Sequence, residues 1–261
     1  MGLGAAGAAA TLAGGAAAKG FTSWRGTVGT IAPTLRPGGL EALIRILPEG
    51  IGVIPMFNDI REGSREEFQK VLDGYAAKAA QLAEAGVDLI YAGGSPPFMV
   101  LGYEKERELV HKWEQQFGTP LFTSGISQSE AMRALKIQRF VGVSYFAGAV
   151  NQIFAKYFSD CGFDALGMSG MEVPFDKVQD MSSLEIYRFI KKAFLEHPEA
   201  DGIYLLGAGW HAFEVVEVLE QDLGVPVVHP TAAQSWSIQR RLHVRQPIAG
   251  HGRLLAEMPN A

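Results

Sequence analysis

From Trp24 onward, short apolar runs rich in β-branched residues alternate with stretches in which apolar residues return every three or four positions. Six of the runs predict strands: Thr27 to Ile31, Ile51 to Pro55, Val87 to Ala92, Arg139 to Ser144, Gly202 to Leu206 and Val225 to Val228. Most are apolar throughout, the pattern of a strand covered by helices on both faces. Between them, Phe68, Val71, Leu72, Tyr75, Ala79 and Leu82 share one helical face, and the helix they predict ends at Gly86. Further helices are predicted over about 104–117, from behind Ser127 through Met132 and Leu135, and over about 148–160, 182–196, 211–222 and 231–242. Alternation of strand and helix predicts an α/β fold with a mainly parallel sheet.

Within this order one pattern occurs twice. Residues 84–95, EAGVDLIYAGGS, and 198–210, PEADGIYLLGAGW, each run from an acidic helix end through an apolar strand into a glycine-rich turn. The repeat predicts two pseudo-symmetric halves, 24–135 and 136–230, with 231–261 packing back on the first. Each turn falls at the carboxyl end of a strand, where open parallel sheets hold their ligands, so the active site is expected between the halves. Either turn alone would serve as an ordinary strand-to-helix connection. The matching of two points to a shared crevice.

The 261 residues are 48% hydrophobic and 20% charged, enough for a sizeable core and a solvated surface. A formal charge of -5 without a basic stripe speaks against nucleic acid as a partner. Cys161 is the single cysteine, which excludes an intrachain disulfide and a multi-cysteine metal site; at a helix end before Gly162 it reads as a small buried side chain. No phosphate loop, dinucleotide fingerprint or HExxH pair occurs, so neither a metal nor a cofactor is expected. The low-complexity segment 1–23 opens with MGLGAAGAAATLAGGAAAKG, too weakly apolar for a membrane helix. It reads either as an Ala/Gly tail on a cytoplasmic protein or as an export signal without its basic front, which would make the protein periplasmic. No membrane partner is expected, and the chain fits a monomer or a homo-oligomer.

The segments GTVGTIAP, LIYAGGSPPF, ALKIQRFVGVSYFAGAVN, DGIYLLGAGW, LGVPVVHPTAAQSW and GHGRLL follow one another over about residues 26–255. In that order they resemble the arylmalonate decarboxylase and maleate isomerase family of the aspartate/glutamate racemase superfamily. The resemblance implies two α/β halves with the active site between them, a cofactor-independent carbon-acid reaction and a small carboxylate as substrate. It also implies a catalytic cysteine in one or both glycine turns. Here this chain departs: the turns read Gly93-Gly94-Ser95 and Gly207-Ala208-Gly209, with Ala208 where the remaining thiol is implied. Racemisation by two cysteines and isomerisation through a cysteine adduct are therefore not expected. Decarboxylation requires an apolar pocket for one carboxylate and hydrogen-bond donors for the enediolate formed from the other, and neither task needs a thiol.

Carried over residue by residue, the resemblance implies donors at the Gly94 amide, Ser95, Tyr145 and Thr231. An ungapped match puts Phe146 at the family tyrosine, with Tyr145 one residue earlier. Ser95 and Thr231 are equally the residue types that a turn and a helix cap use. The apolar run Pro96 to Leu101, including Phe98, faces Trp210 across the turns and reads as a pocket wall or as an interface patch. His211, three residues after Ala208, and His229, before Pro230, are the histidines nearest the turns. A helix start favours neutral imidazole, so Tyr145 or a water competes with His211 as proton donor. Pro33 and Arg36 follow the first strand at the same sheet edge, Arg36 as an anion ligand or as a turn residue. Three readings stay open: a decarboxylase-like enzyme acting on a small carboxylate with an apolar or aromatic substituent, a carboxylate-binding relative without catalysis, and a lyase, isomerase or hydrolase using His211.

Overall fold

The computed structural model describes residues 22–146 and 148–260, and the expectations for the first 20 residues lie outside them. Among the described residues, eight strands form two sheets. The first holds β1 (Gly26–Ala32), β2 (Ile51–Phe57), β3 (Leu89–Ala92) and β4 (Leu121–Thr123) in the order β2-β1-β3-β4. The second holds β5 (Arg139–Ser144), β6 (Asp164–Gly170), β7 (Gly202–Leu205) and β8 (Val227–Val228) in the order β6-β5-β7-β8. Every pairing is parallel. The two halves thus share one topology, as the repeated segment predicts.

All six predicted strands are present, and β4 and β6 go beyond the expectation. β4 is three residues long, and β6, DALGMSG, has two glycines and no β-branched side chain, so neither reads as a strand. β6 lies at a sheet edge and pairs with β5 across a register shift between Phe140 and Val141. Crowding explains one of its glycines, because a Cβ at Gly167 would come 2.8 Å from the His197 ring.

The helices are α1 (Gly39–Ile46), α2 (Arg65–Lys70), α3 (Leu72–Glu84), α4 (Ser95–Met99), α5 (Tyr103–Phe117), α6 (Ser124–Ala134), α7 (Gly148–Asp160), α8 (Ser183–Leu195), α9 (Val216–Leu223), α10 (Pro230–Arg241) and α11 (Arg253–Glu257). Four expected spans, those of α5, α7, α8 and α10, are found within a residue at each end. At α8 the Ser182 hydroxyl accepts from the Glu185 amide while the Glu185 carboxylate accepts from the Ser182 amide, a capping box that fixes the start. The helix expected through Phe68 to Gly86 is instead two, α2 and α3, meeting at Val71. The helix expected from behind Ser127 begins at Ser124, because Thr123 caps it by accepting from the Ile126 amide at 3.3 Å. The helix expected over 211–222 opens as a 3-10 turn, Phe213–Val215, before α9.

Val28, Ile31 and Ile90 in the first half and Phe140, Val143, Ile203 and Leu205 in the second are buried. Phe158 lies against Tyr204 at 4.4 Å and Phe140 at 5.4 Å between ring centroids, an aromatic group behind β7. α10 follows β8 in the chain, yet its Ile238 packs with Val28, Leu43 and Leu89 of the first half. It also packs on α6, its counterpart after β4. The carboxyl ends of the two sheets consequently open on one crevice, lined by the turns after β3 and β7. No helix among the described residues is long and apolar enough to cross a membrane.

Candidate active site

The first turn is built by its glycines. The Gly93 amide donates to the Ile31 carbonyl at 2.8 Å, and the Gly93 carbonyl accepts from the Tyr75 hydroxyl at 2.5 Å. Gly94 has φ +87°, and a Cβ there would stand 2.8 Å from the Pro33 ring, so only glycine lets this turn lie against the loop after β1. Ser95 then opens α4. Because Pro96 and Pro97 have no N–H, the amides offered at this turn are those of Gly94 and Ser95. Ser95 is buried, and its hydroxyl donates to Gln128 Oε1 at 3.1 Å.

The second turn is shaped around Tyr145. Gly207 has φ +93°, and Gly207, Ala208 and Gly209 all line the crevice. Trp210 holds this turn from behind: its Nε1 donates to the Gly207 carbonyl at 2.8 Å, and its ring stands edge-on to Tyr145 at 5.5 Å. Tyr145 and Phe146 both reach the crevice, but only Tyr145 brings a hydroxyl. Burial pushes the Tyr145 hydroxyl up to about 12, against the pull of the nearby Arg36 charge and a hydrogen bond with the Gly209 backbone.

Between the turns lies a cavity of about 150 Å³. A cavity of this size accepts a benzene-sized ligand. Its wall is mostly apolar, with Leu43, Ile60, Phe68, Phe146 and Phe175 among the lining residues. Arg36 is the one charged side chain among them. Its guanidinium sits 3.9 Å over the Phe175 ring, which in turn stacks on Phe146 at 6.0 Å. The two halves also meet above the cavity through Gln179 Nε2, which donates to the Pro37 carbonyl at 2.9 Å.

Of the residues singled out from sequence, Pro33, Arg36, Gly93, Gly94, Ser95, Pro96, Tyr145, Ala208, Gly209 and Thr231 come together around this cavity. Four do not line it. Phe98 is in the core, edge-on to Tyr75 at 5.0 Å and to Trp113 at 6.2 Å, so the apolar run contributes its prolines to the cavity and its aromatic ring to packing. Trp210 supports the turn. His211 is half exposed, with Nδ1 3.7 Å from the Glu214 carboxylate. His229 is the cap of α10: its Nδ1 accepts from the Thr231 amide at 3.1 Å, which leaves the Thr231 side chain free of capping. Burial pushes His229 down to about 3, so it stays neutral, with a buried Nε2 that has no partner among the described residues.

Sequence reasoning does not single out Leu43, Ile60, Phe68, Phe175 or Ser124. For the four apolar residues no local signal of a site exists, since they reach the cavity from α1, α2, the loop after β2 and the 3-10 turn Phe175–Asp180. For Ser124 the repeat holds one: it opens the helix after β4, as Pro230 and Thr231 open the helix after β8.

Two parallel sheets of like order, with glycine turns facing one crevice, define the α/β fold of aspartate/glutamate racemase-like enzymes. The sequence profile of the arylmalonate decarboxylase family matches residues 46–255, and the chain belongs to that family. The arylmalonate decarboxylase of Bordetella bronchiseptica is 23% identical over 180 residues, 67% of this chain and 73% of that protein. A liganded arylmalonate decarboxylase carrying one glycine-to-cysteine and one cysteine-to-serine change superposes with a TM-score of 0.83 at 21% identity, covering 89% of this chain and 99% of the other. The maleate isomerase Iso from Pseudomonas putida S16 gives 0.83 at 17% identity over 89% and 98% of the two chains. The maleate cis-trans isomerase of Nocardia farcinica gives 0.80 at 19% over 88% and 98%.

Proposed function

We propose that the protein is a cofactor-independent carbon-acid enzyme that decarboxylates a small malonate-like acid with an apolar or aromatic substituent, through an enediolate. The observation that carries this reading is the cavity wall: apolar surface on most sides, donors at the two glycine turns, and Arg36 as its one charged side chain. The substituent fits against Leu43, Ile60 and Phe68, and the retained carboxylate against the Gly94 and Ser95 amides and the Thr231 hydroxyl. Loss of the other carboxylate as carbon dioxide leaves its bonding electron pair on the enediolate, whose charge these donors stabilise. Tyr145 then gives its hydroxyl proton to the α-carbon, and the Arg36 charge offsets the tyrosinate left behind until solvent returns the proton. Ala208 stands on the turn beside Tyr145, so the tyrosine replaces a thiol as the donor.

The test is to incubate the protein with aryl- and alkenylmalonates, maleate, hydantoins and amino acids in deuterium oxide and follow each by NMR. Release of carbon dioxide from a malonate, with one deuterium at its former α-carbon, is the expected result. Shifts of protein resonances on adding a malonate, without turnover, would favour the second reading, a carboxylate-binding relative; the alanine at the thiol's place is what supports that reading. The reading with His211 as catalyst has less support, since its imidazole is half exposed and paired with Glu214 outside the cavity.

A further inference from the structure

Behind the cavity, one buried amide ties together four hydroxyl groups. Gln128, one turn into α6, is fully buried. Its Oε1 accepts from the Ser95 hydroxyl at 3.1 Å and from the Tyr204 hydroxyl at 2.6 Å. Its Nε2 donates to Ser124 Oγ at 3.3 Å, and Ser124 is bonded to the Tyr91 hydroxyl at 2.7 Å. Ser95, Ser124 and Tyr91 line the cavity, whereas Tyr204 lies in β7, three residues ahead of Gly207. A single side chain therefore joins the turn of the first half to the strand that carries the turn of the second.

We infer that Gln128 is a positioning residue that couples the two glycine turns across the halves. Packing alone would be met by a leucine, which needs no partners, whereas a buried amide is stable only with its hydrogen bonds made. Two hydroxyls share one amide oxygen, so a change in either bond alters the other. Ser95 has one hydroxyl hydrogen, and it points to Gln128, leaving the oxygen lone pairs toward the cavity. A carboxylate that takes the Ser95 hydroxyl as well as its amide draws that hydrogen away, which leaves Tyr204 as the remaining donor to Oε1 and shifts the anchor of β7. Occupancy of the first turn is in this way felt at Gly207 to Gly209. That consequence rests on the carboxylate reading of the cavity; the link between the turns does not.

The test has two arms. In amide-resolved NMR of the unliganded protein, Ser95→Ala is expected to shift the resonances of Gly207, Ala208 and Gly209, and to leave them unmoved in a Gln128→Leu background. Equal shifts in both backgrounds overturn the inference. Should Gln128→Leu not fold, Tyr204→Phe cuts the same link with a smaller change, and the same two outcomes decide. In the second arm, phenylmalonate binding is measured by stopped-flow fluorescence, before turnover, for each single variant and the double variant. Gln128→Leu is expected to weaken binding about tenfold on its own and less than about twofold once Ser95 is alanine. Equal losses in both backgrounds indicate a merely structural glutamine and overturn the positioning role. If the wild-type protein binds no phenylmalonate, the carboxylate reading falls by itself, and the spectra of the first arm alone decide for or against Gln128.

Discussion

Tyr145 lies against Gly207 so closely that a Cβ on the glycine would stand 2.6 Å from the tyrosine hydroxyl. The left-handed backbone of Gly207, at φ +93°, excludes other residues for a second reason. Turn and hydroxyl are thus fixed by one another. Tyr145→Phe keeps the ring contacts; if the hydroxyl is the proton donor proposed above, the variant is expected to lower kcat on a malonate substrate by ~10²–10³, with KM within about threefold. Gly207→Ala is expected to lower both activity and melting temperature. Steady-state kinetics with a melting curve checks both, and a fully active Tyr145→Phe variant would remove the tyrosine from the role of donor.

Ala208 lines the cavity on the same turn. Ala208→Cys places a thiol beside Tyr145 on a backbone already held by Trp210, and turnover of phenylmalonate is expected to rise about tenfold or more. Carbon dioxide release measures it. Binding without any gain in turnover would mean that the substrate's α-carbon does not lie against the Ala208 turn.

Thiol and exposed imidazole chemistry are expected to be dispensable. Cys161 follows α7 away from the cavity, and burial pushes its thiol up to about 12, so little thiolate exists at neutral pH. Cys161→Ala and His211→Ala are each expected to keep turnover within about threefold. A loss of about tenfold with the fold intact, some 1.4 kcal/mol of barrier, would return either residue to the mechanism.

Glu106 is fully buried in α5, takes a hydrogen bond from the Tyr157 hydroxyl, and has its carboxyl raised to about 7 by desolvation. Because the folded value lies above the unfolded one, near 4.5, the folded state holds the proton more tightly. Its contribution to stability is fully present below about pH 4.5 and is lost as pH rises toward 7. Glu106→Gln keeps a carbonyl acceptor for Tyr157 and removes the titration. The variant is expected to gain on the wild type across that range, to a difference of about 3 kcal/mol above pH 7. Urea melts at pH 4.5, 6 and 8 measure this, and a constant difference would show that Glu106 does not titrate there.

The parts of the fold legible in sequence are those whose signal is local. Apolar continuity marks β1, β3, β5 and β7, and the repeated glycine turns mark the crevice. β6 is illegible because an edge strand can be assembled from Ala, Gly and Met once a neighbour supplies the pairing. At the site, Ser95 and Arg36 sit near readable turns, but Phe175 reaches the cavity from the 3-10 turn Phe175–Asp180, distant in the chain, and nothing in its own neighbourhood announces that. Phe98 misleads for the opposite reason: a five-residue helix after the turn rotates its ring into the core, where Trp113 meets it.

The likeness of the halves ends at the cavity surface, where Pro33 and the bare Gly94 stand on one side and the Tyr145 hydroxyl on the other. A planar intermediate held between such walls has two unequal faces. A proton given by Tyr145 reaches only the face turned toward it, so an α,α-disubstituted malonate should leave the site as a single enantiomer. The handedness of the product would then record which of the two like halves carries the acid.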